Sequence, residues 1–100
     1  MKAYTVVLSP DPDGGYSVSC PAMPGAVSQG ETREETLANI AEAMGLWLEV
    51  AADDGYAPLD EHPALIAKEV EFVLGWRAEE GLDLLVETAV VEPASIAAAA

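Results

Sequence analysis

The amino-acid sequence predicts an α+β fold in which an antiparallel β-sheet carries helices on one face, in the order β-β-β-α-α-β. Three observations lead there. Short runs of β-branched and aromatic residues, cut by turns rich in Pro, Gly and Asp, fill residues 3–29. Between Leu37 and Ala51 apolar residues instead recur at i, i+3, i+4 and i+7, the period of a helix face. A second long apolar segment, bracketed by Pro63 and Gly81, gives way to an alternating run that stops at Pro93. With 100 residues, 51% hydrophobic and 22% charged, the chain has material for one modest core. Residues 1–93 are expected to form a single domain and residues 94–100 a flexible tail.

The elements follow in order. "AYTVVLS", Ala3 to Ser9, reads as a strand, and "PDPDGG" supplies the turn chemistry of a hairpin. In "YSVSC" the residues Tyr16, Val18 and Cys20 share one face of a second strand, antiparallel to the first. Pro21 and Pro24 each lack an N–H and break the ladder, Gly25 permits a reversal, and "AVSQ", Ala26 to Gln29, returns as a third strand. Thr32 and Glu35 then match a capping box. The helix it opens presents Leu37, Ile40, Ala41, Met44, Trp47, Leu48 and Ala51 to the sheet, with Trp47 read as core. Leu46 and Val50 fall outside this stripe and need another partner, a second helix or a second subunit.

From Ala64 to Glu80 two periods compete. Val70, Phe72 and Leu74 alternate as in a strand; Leu65, Phe72 and Trp76, with Ile66, Val70 and Val73, share a broad helical face. Length decides for a helix, with Pro63 in its first turn and Gly81 just past its last. Leu84 to Val91 reads as the final strand.

Charge narrows the function. Eighteen acidic residues face four basic ones, Lys2, Arg33, Lys68 and Arg77, for a formal net charge of −14. Four dispersed cations cannot track a phosphate backbone, so direct nucleic-acid binding is not expected and a basic protein partner is. A lone cysteine, Cys20, excludes a disulfide framework and a thiolate zinc site and suits a reducing cytoplasm. The N-terminus lacks a signal-peptide pattern, and no run approaches the roughly 20 apolar residues of a membrane span.

No catalytic, cofactor or metal site is expected. A metal-dependent nuclease needs converging carboxylates, yet the first three strands contain none; the acids lie in turns (Asp11, Asp13, Asp53, Asp54) or on helix starts and solvent faces (Glu34, Glu35, Glu42, Glu49). "DPDGG" fails as a calcium loop, because Gly15 and Ala22 occupy later ligand positions. His62 has no second histidine, and Cys20 has no cation nearby in sequence.

The stretch from Tyr4 to Gly55 resembles the HicB family of antitoxin and antitoxin-like proteins. The aromatic-led first strand, the "PDGGY" hairpin, the P-x-x-PG loop, the "SQGET" helix entry and the Trp-bearing helix carry the resemblance. It implies a partial RNase H-like fold, self-association as a homodimer or higher homo-oligomer, and binding to a HicA-type toxin, a small basic mRNA-cleaving protein. Many members add a C-terminal DNA-binding segment; after Gly55 this sequence supplies one acidic helix and one strand, so no such module and no promoter binding by the chain alone are expected. Recognition is expected at Asp11, Asp13, Pro21, Met23, Pro24, Gly25, Glu34 and Glu35, since loops and charges carry most recognition. Leu46 and Val50 are the candidates for self-association. An orphan self-associating protein and a small RNase H-like hydrolase are the alternatives.

Overall fold

The computed structural model describes residues 2–95; the part of the expected tail from residue 96 onward lies outside them. The elements are β1 (Tyr4–Pro10), β2 (Tyr16–Ser19), β3 (Val27–Gly30), α1 (Arg33–Asp54), α2 (Pro63–Glu79) and β4 (Glu87–Val91). The α+β class and the order β-β-β-α-α-β are as expected, and the contested segment is a helix. The four strands form one antiparallel sheet in the order β3-β2-β1-β4, so the first and last strands lie side by side.

One face of the sheet builds the core. Tyr4, Val6 and Leu8 of β1, with Val18 and Cys20, pack on Ile40 and Met44 of α1. The chain enters that helix through Thr32, whose Oγ1 accepts from Glu35 N–H at 3.1 Å, while Glu35 reaches back to Glu31 N–H at 3.0 Å. The capping box is thus present, with its return bond shifted one residue outward. Gly30 makes the entry tight: a Cβ there would sit 2.7 Å from both the Thr36 nitrogen and its hydroxyl. Only a residue without a side chain lets β3 run this close to the first turn of α1.

The expectation that both helices share one face is not met. Residues 56–62 wrap round the end of the sheet: Leu59 N–H donates to Ala22 O at 2.8 Å, and Thr5 N–H donates to the Glu61 carboxylate at 2.6 Å. This carries α2 to the second face. There Ser19 Oγ donates to Glu69 at 2.9 Å, and Val73 lies beside Val7, Ser9 and Ser17. Because strand side chains alternate in direction, these partners are the neighbours of the core-facing set. Burial agrees, since Val6, Val7 and Leu8 are all covered. The central strand β1 is therefore enclosed by a helix on each side.

The end of α2 explains why β4 starts at Glu87 and not at Leu84. Gly81 N–H bonds Ala78 O at 3.2 Å and Leu82 N–H bonds Arg77 O at 2.9 Å, with Gly81 at φ 70°. This double bond with a left-handed glycine closes the helix. β1 and β4 stay paired as far as Leu8 opposite Glu87. Pro10, next in line on that side of the ladder, has no N–H, and its carbonyl accepts from Arg77 Nη1 at 2.6 Å. No ladder bond remains to extend the strand.

Candidate partner-binding surface

The residues expected to recognise a partner divide between two ends of β2. At one end lies the β1–β2 hairpin, closed by Asp11 N–H to Gly15 O at 2.9 Å. Here Asp11 approaches the start of α1: Asp11, Glu31, Glu35 and Asn39 line one polar groove of about 480 Å³. Asp13 and Glu34 are exposed nearby in sequence. Four of the expected acids thus belong to this end of the sheet. Glu35 is partly engaged by its capping bonds, and Asp11 accepts the Ser17 hydroxyl at 2.7 Å.

At the other end, the Pro21–Gly25 loop is a plug in the core rim. Met23 N–H donates to Cys20 O, Ala26 N–H to Met23 O and Cys20 N–H to Ala26 O, so the loop satisfies its own backbone. Met23 is fully buried among the core residues, which removes it from the contact set; a side chain without accessible surface meets no partner. Pro24 and Gly25 are exposed and Pro21 half-buried. Trp47 holds the loop down: its ring N–H donates to Pro24 O at 2.9 Å, and its edge meets Tyr56 at 5.7 Å between ring centres. This is the core role read from the sequence, with the polar handle of the indole satisfied.

Leu46 and Val50 are exposed on the outer surface of α1, at 56% and 46%. Leu46 lines a groove of about 550 Å³ with Glu42, Ala43, Ala94 and Ser95. The chain after β4 reaches this helix through Ala94 N–H to Ala41 O at 2.9 Å.

Three of the four cations are drawn into internal contacts. Lys2 sits 5.4 Å from the centre of the Tyr4 ring. Arg33 pairs with Glu87 at 2.9 Å, both partly exposed. Arg77, 4% exposed, donates to the carbonyls of Pro10 and Asp83. Only Lys68 remains as an exposed cation without such a contact among the described residues. The outer field is accordingly almost entirely negative.

A surface not foreseen from the sequence lies on the second sheet face. α2 sits over β1, leaving β2 and β3 uncovered on that side. The groove between them, about 440 Å³, is floored by Ser17, Ser19, Val27 and Gln29 and walled by Glu69 and Val73. Val27 is 64% exposed, and on the same flank of α2 stand Phe72 at 72% and Trp76 at 45%. Solvent-facing Phe and Trp one helical turn apart could have signalled this surface in the sequence, but both also fitted a core-facing helix stripe.

Among the described residues, no three His, Cys, Asp or Glu side chains gather to hold a metal ion. Burial pushes the Cys20 thiol up to about 11, the opposite of an activated nucleophile. His62 is exposed at the N-cap of α2, where its carbonyl accepts from Leu65 N–H. No described helix is long and apolar enough to cross a membrane.

Comparison with known proteins follows the same lines. A UPF0150 protein of Thermoplasma acidophilum is 48% identical over 46 residues, covering 46% of this chain and 67% of that protein. A UPF0150 protein of Synechocystis is 50% identical over 46 residues, 46% of this chain and 58% of its own. Antitoxin HicB 1 of Photorhabdus laumondii is 49% identical over 41 residues, 41% of this chain and 26% of its own. The matches span only part of these relatives' lengths. Among solved structures, the Burkholderia pseudomallei antitoxin HicB superposes with a TM-score of 0.59 at 22% identity, over 92% of this chain and 63% of that one. A chain of the HicA3 and HicB3 toxin-antitoxin complex gives 0.59 at 18% identity, over 91% and 96%. At these identities the likeness establishes the fold. Residues 4–95 match the family described as HicB_like antitoxin of bacterial toxin-antitoxin system, and with nearly the whole described chain inside that match, the protein belongs to the HicB-like antitoxin family.

Proposed function

We propose that this chain is the antitoxin of a type II toxin–antitoxin pair and that it neutralises a small, basic, HicA-type mRNA-cleaving toxin by binding it, without catalysis of its own. The observation that carries this reading is the one-signed surface. A net charge of −14, with Arg77 buried and Arg33 paired to Glu87, attracts a basic ribonuclease over a long range and repels its RNA substrate from the same volume. Family membership and the shared fold of a HicB chain solved with HicA3 support the same assignment. The encounter takes place where mRNA is translated, in the cytoplasm.

Two further expectations belong to this reading. The chain self-associates, with Leu46 and Val50 as the exposed apolar side chains available on α1. It does not bind its promoter alone, because even nonspecific affinity for DNA rests on neutralising phosphates.

The test is inhibition of a HicA-type ribonuclease. Purified chain added to that ribonuclease should abolish mRNA cleavage near equimolar ratio, and the association rate should fall steeply with added salt. Undiminished cleavage in the presence of a several-fold excess of chain would refute the proposal.

A further inference from the structure

We infer that the uncovered half of the second sheet face, beside α2, is a slot that receives one cationic amphipathic helix of the basic partner; the inference rests on the function proposed above and places its contact surface. Width comes first. Strands lie about 4.8 Å apart, so the two uncovered strands β2 and β3 present a strip about 10 Å wide, the diameter of one helix with its side chains. α2 already occupies the other lane of this face, over β1. A second helix laid alongside it would cover the β2–β3 half of the face, with β4, where Val90 is 72% exposed, beyond the other flank of α2.

The lining fits an amphipathic occupant. Glu69, Phe72, Val73 and Trp76 recur at i, i+3, i+4 and i+7, so they share one flank of α2, and the bond from Ser19 to Glu69 fixes that flank toward β2. The floor opposite offers Val27, 64% exposed. Phe72 and Trp76, exposed on the same flank of α2 but outside the groove lining itself, offer aromatic surface of the kind that dominates binding energy at protein interfaces.

The charge selects the partner. Along the floor, Ser17 donates to Asp11 at 2.7 Å and Ser19 donates to Glu69 at 2.9 Å. Glu69 is thereby held on the wall of the slot, while Asp11 lies at the hairpin end of β2, where it also lines the polar groove with Glu31 and Glu35. The ion pair among the described residues is Arg33–Glu87, on another part of the molecule, so neither carboxylate has a cation. A helix bearing Lys or Arg on its sheet-facing edges would pair with both, whereas a second copy of this chain would bring another net charge of −14 against them.

The experiment titrates unaltered chain and variants with a catalytically inactivated HicA-type toxin, by calorimetry. Val27→Asp and Glu69→Gln should each weaken binding by about tenfold or more, and Trp76→Ala by a similar factor. Glu69→Gln keeps an acceptor for Ser19 and isolates the charge. Val27 and Trp76 are solvent-facing, so the fold should survive, as circular dichroism would verify. Ala52→Ser, exposed on α1 and so on the other side of the sheet, should leave toxin affinity within about twofold. Three results would overturn the inference. Tight toxin binding unaffected by all three slot variants would place the toxin elsewhere while leaving the antitoxin function intact. Absence of binding by the unaltered chain would remove both. Sedimentation showing a homodimer that Val27→Asp converts to monomer would assign the slot to a second copy.

Discussion

Arg77 is the residue whose replacement tests most directly how α2 is fixed to the sheet. It is 4% exposed, and its guanidinium donates from Nη1 to Pro10 O at 2.6 Å and from Nε to Asp83 O. Neither acceptor is ionised, so two carbonyl dipoles hold the charge. Arg77→Met preserves much of the apolar stem and removes both donors. Hydrogen bonds to a charged group contribute about 1.5–3 kcal/mol each, which sets a ceiling of about 3–6 kcal/mol for the pair. Two effects reduce it. Methionine avoids the cost of desolvating a guanidinium, and Asp83 is exposed, so its freed carbonyl can bind water. The net loss should be about 2 kcal/mol, the size at which one buried polar contact is usually felt. With a urea slope of about 1 kcal/mol per molar, the unfolding midpoint should fall by about 2 M. Arg77→Lys should lose nearly as much, since a single ammonium cannot replace the forked donors that reach two separate carbonyls. A midpoint shift below about 0.5 M for the methionine variant would refute the clamp, because it would leave less than about 0.5 kcal/mol to the two bonds together.

Gly30→Ala should destabilise the chain by about 1–3 kcal/mol, since the added Cβ meets Thr36 backbone at 2.7 Å and Thr36 is fully buried; an unchanged urea midpoint would show that β3 can move away from α1 at no cost. Burial raises the Cys20 thiol from 9.0 to about 11, so the native state holds this proton more tightly than the unfolded chain does. Stability should therefore be unaffected by this group below about pH 9 and should decline as pH rises from about 9 to about 11, with Cys20→Ala losing less over that window than the unaltered chain. Equal alkaline losses in the two proteins would place the thiol in a wetter site.

The core-facing half of the molecule was legible in the sequence because it is written in local signals. The DGG hairpin, the Thr32–Glu35 cap and the 3.6-residue stripe of α1 each lie within one stretch of chain, and each has the predicted geometry. The side of the sheet taken by α2 was not legible from its own pattern, because Leu65, Ile66, Val70, Phe72, Val73, Leu74 and Trp76 make that helix apolar almost all round. A signal did exist in β1. Val6, Val7 and Leu8 are three consecutive apolar residues, which alternation on a one-sided sheet does not produce and burial from both faces does. Ser19 of β2 concealed the rest, since it looks solvent-bound until its carboxylate partner, Glu69, is placed across the fold. Met23 shows the converse: a proline-bounded loop reads as exposed, although its backbone bonds to itself and its side chain completes the core.

These two kinds of information meet at the cations. As composition, four basic residues against eighteen acids describe an acidic chain and nothing more. The fold changes what the count means. Arg77 is tied to a carbonyl 67 residues away in the chain, and Arg33 to a carboxylate 54 residues away. Each of these contacts joins a helix to a distant strand or turn; Arg77 is buried by it, whereas Arg33 stays partly exposed in a pair that cancels one charge of each sign. The field around the fold stays negative because the remaining acids far outnumber the remaining cations. On the flank of α2 that borders the groove, that field meets exposed Phe72 and Trp76, and the combination gives a basic partner both long-range attraction and a local anchor. Charge would govern how fast such a partner arrives, and the aromatic flank and its fixed carboxylate how long it stays.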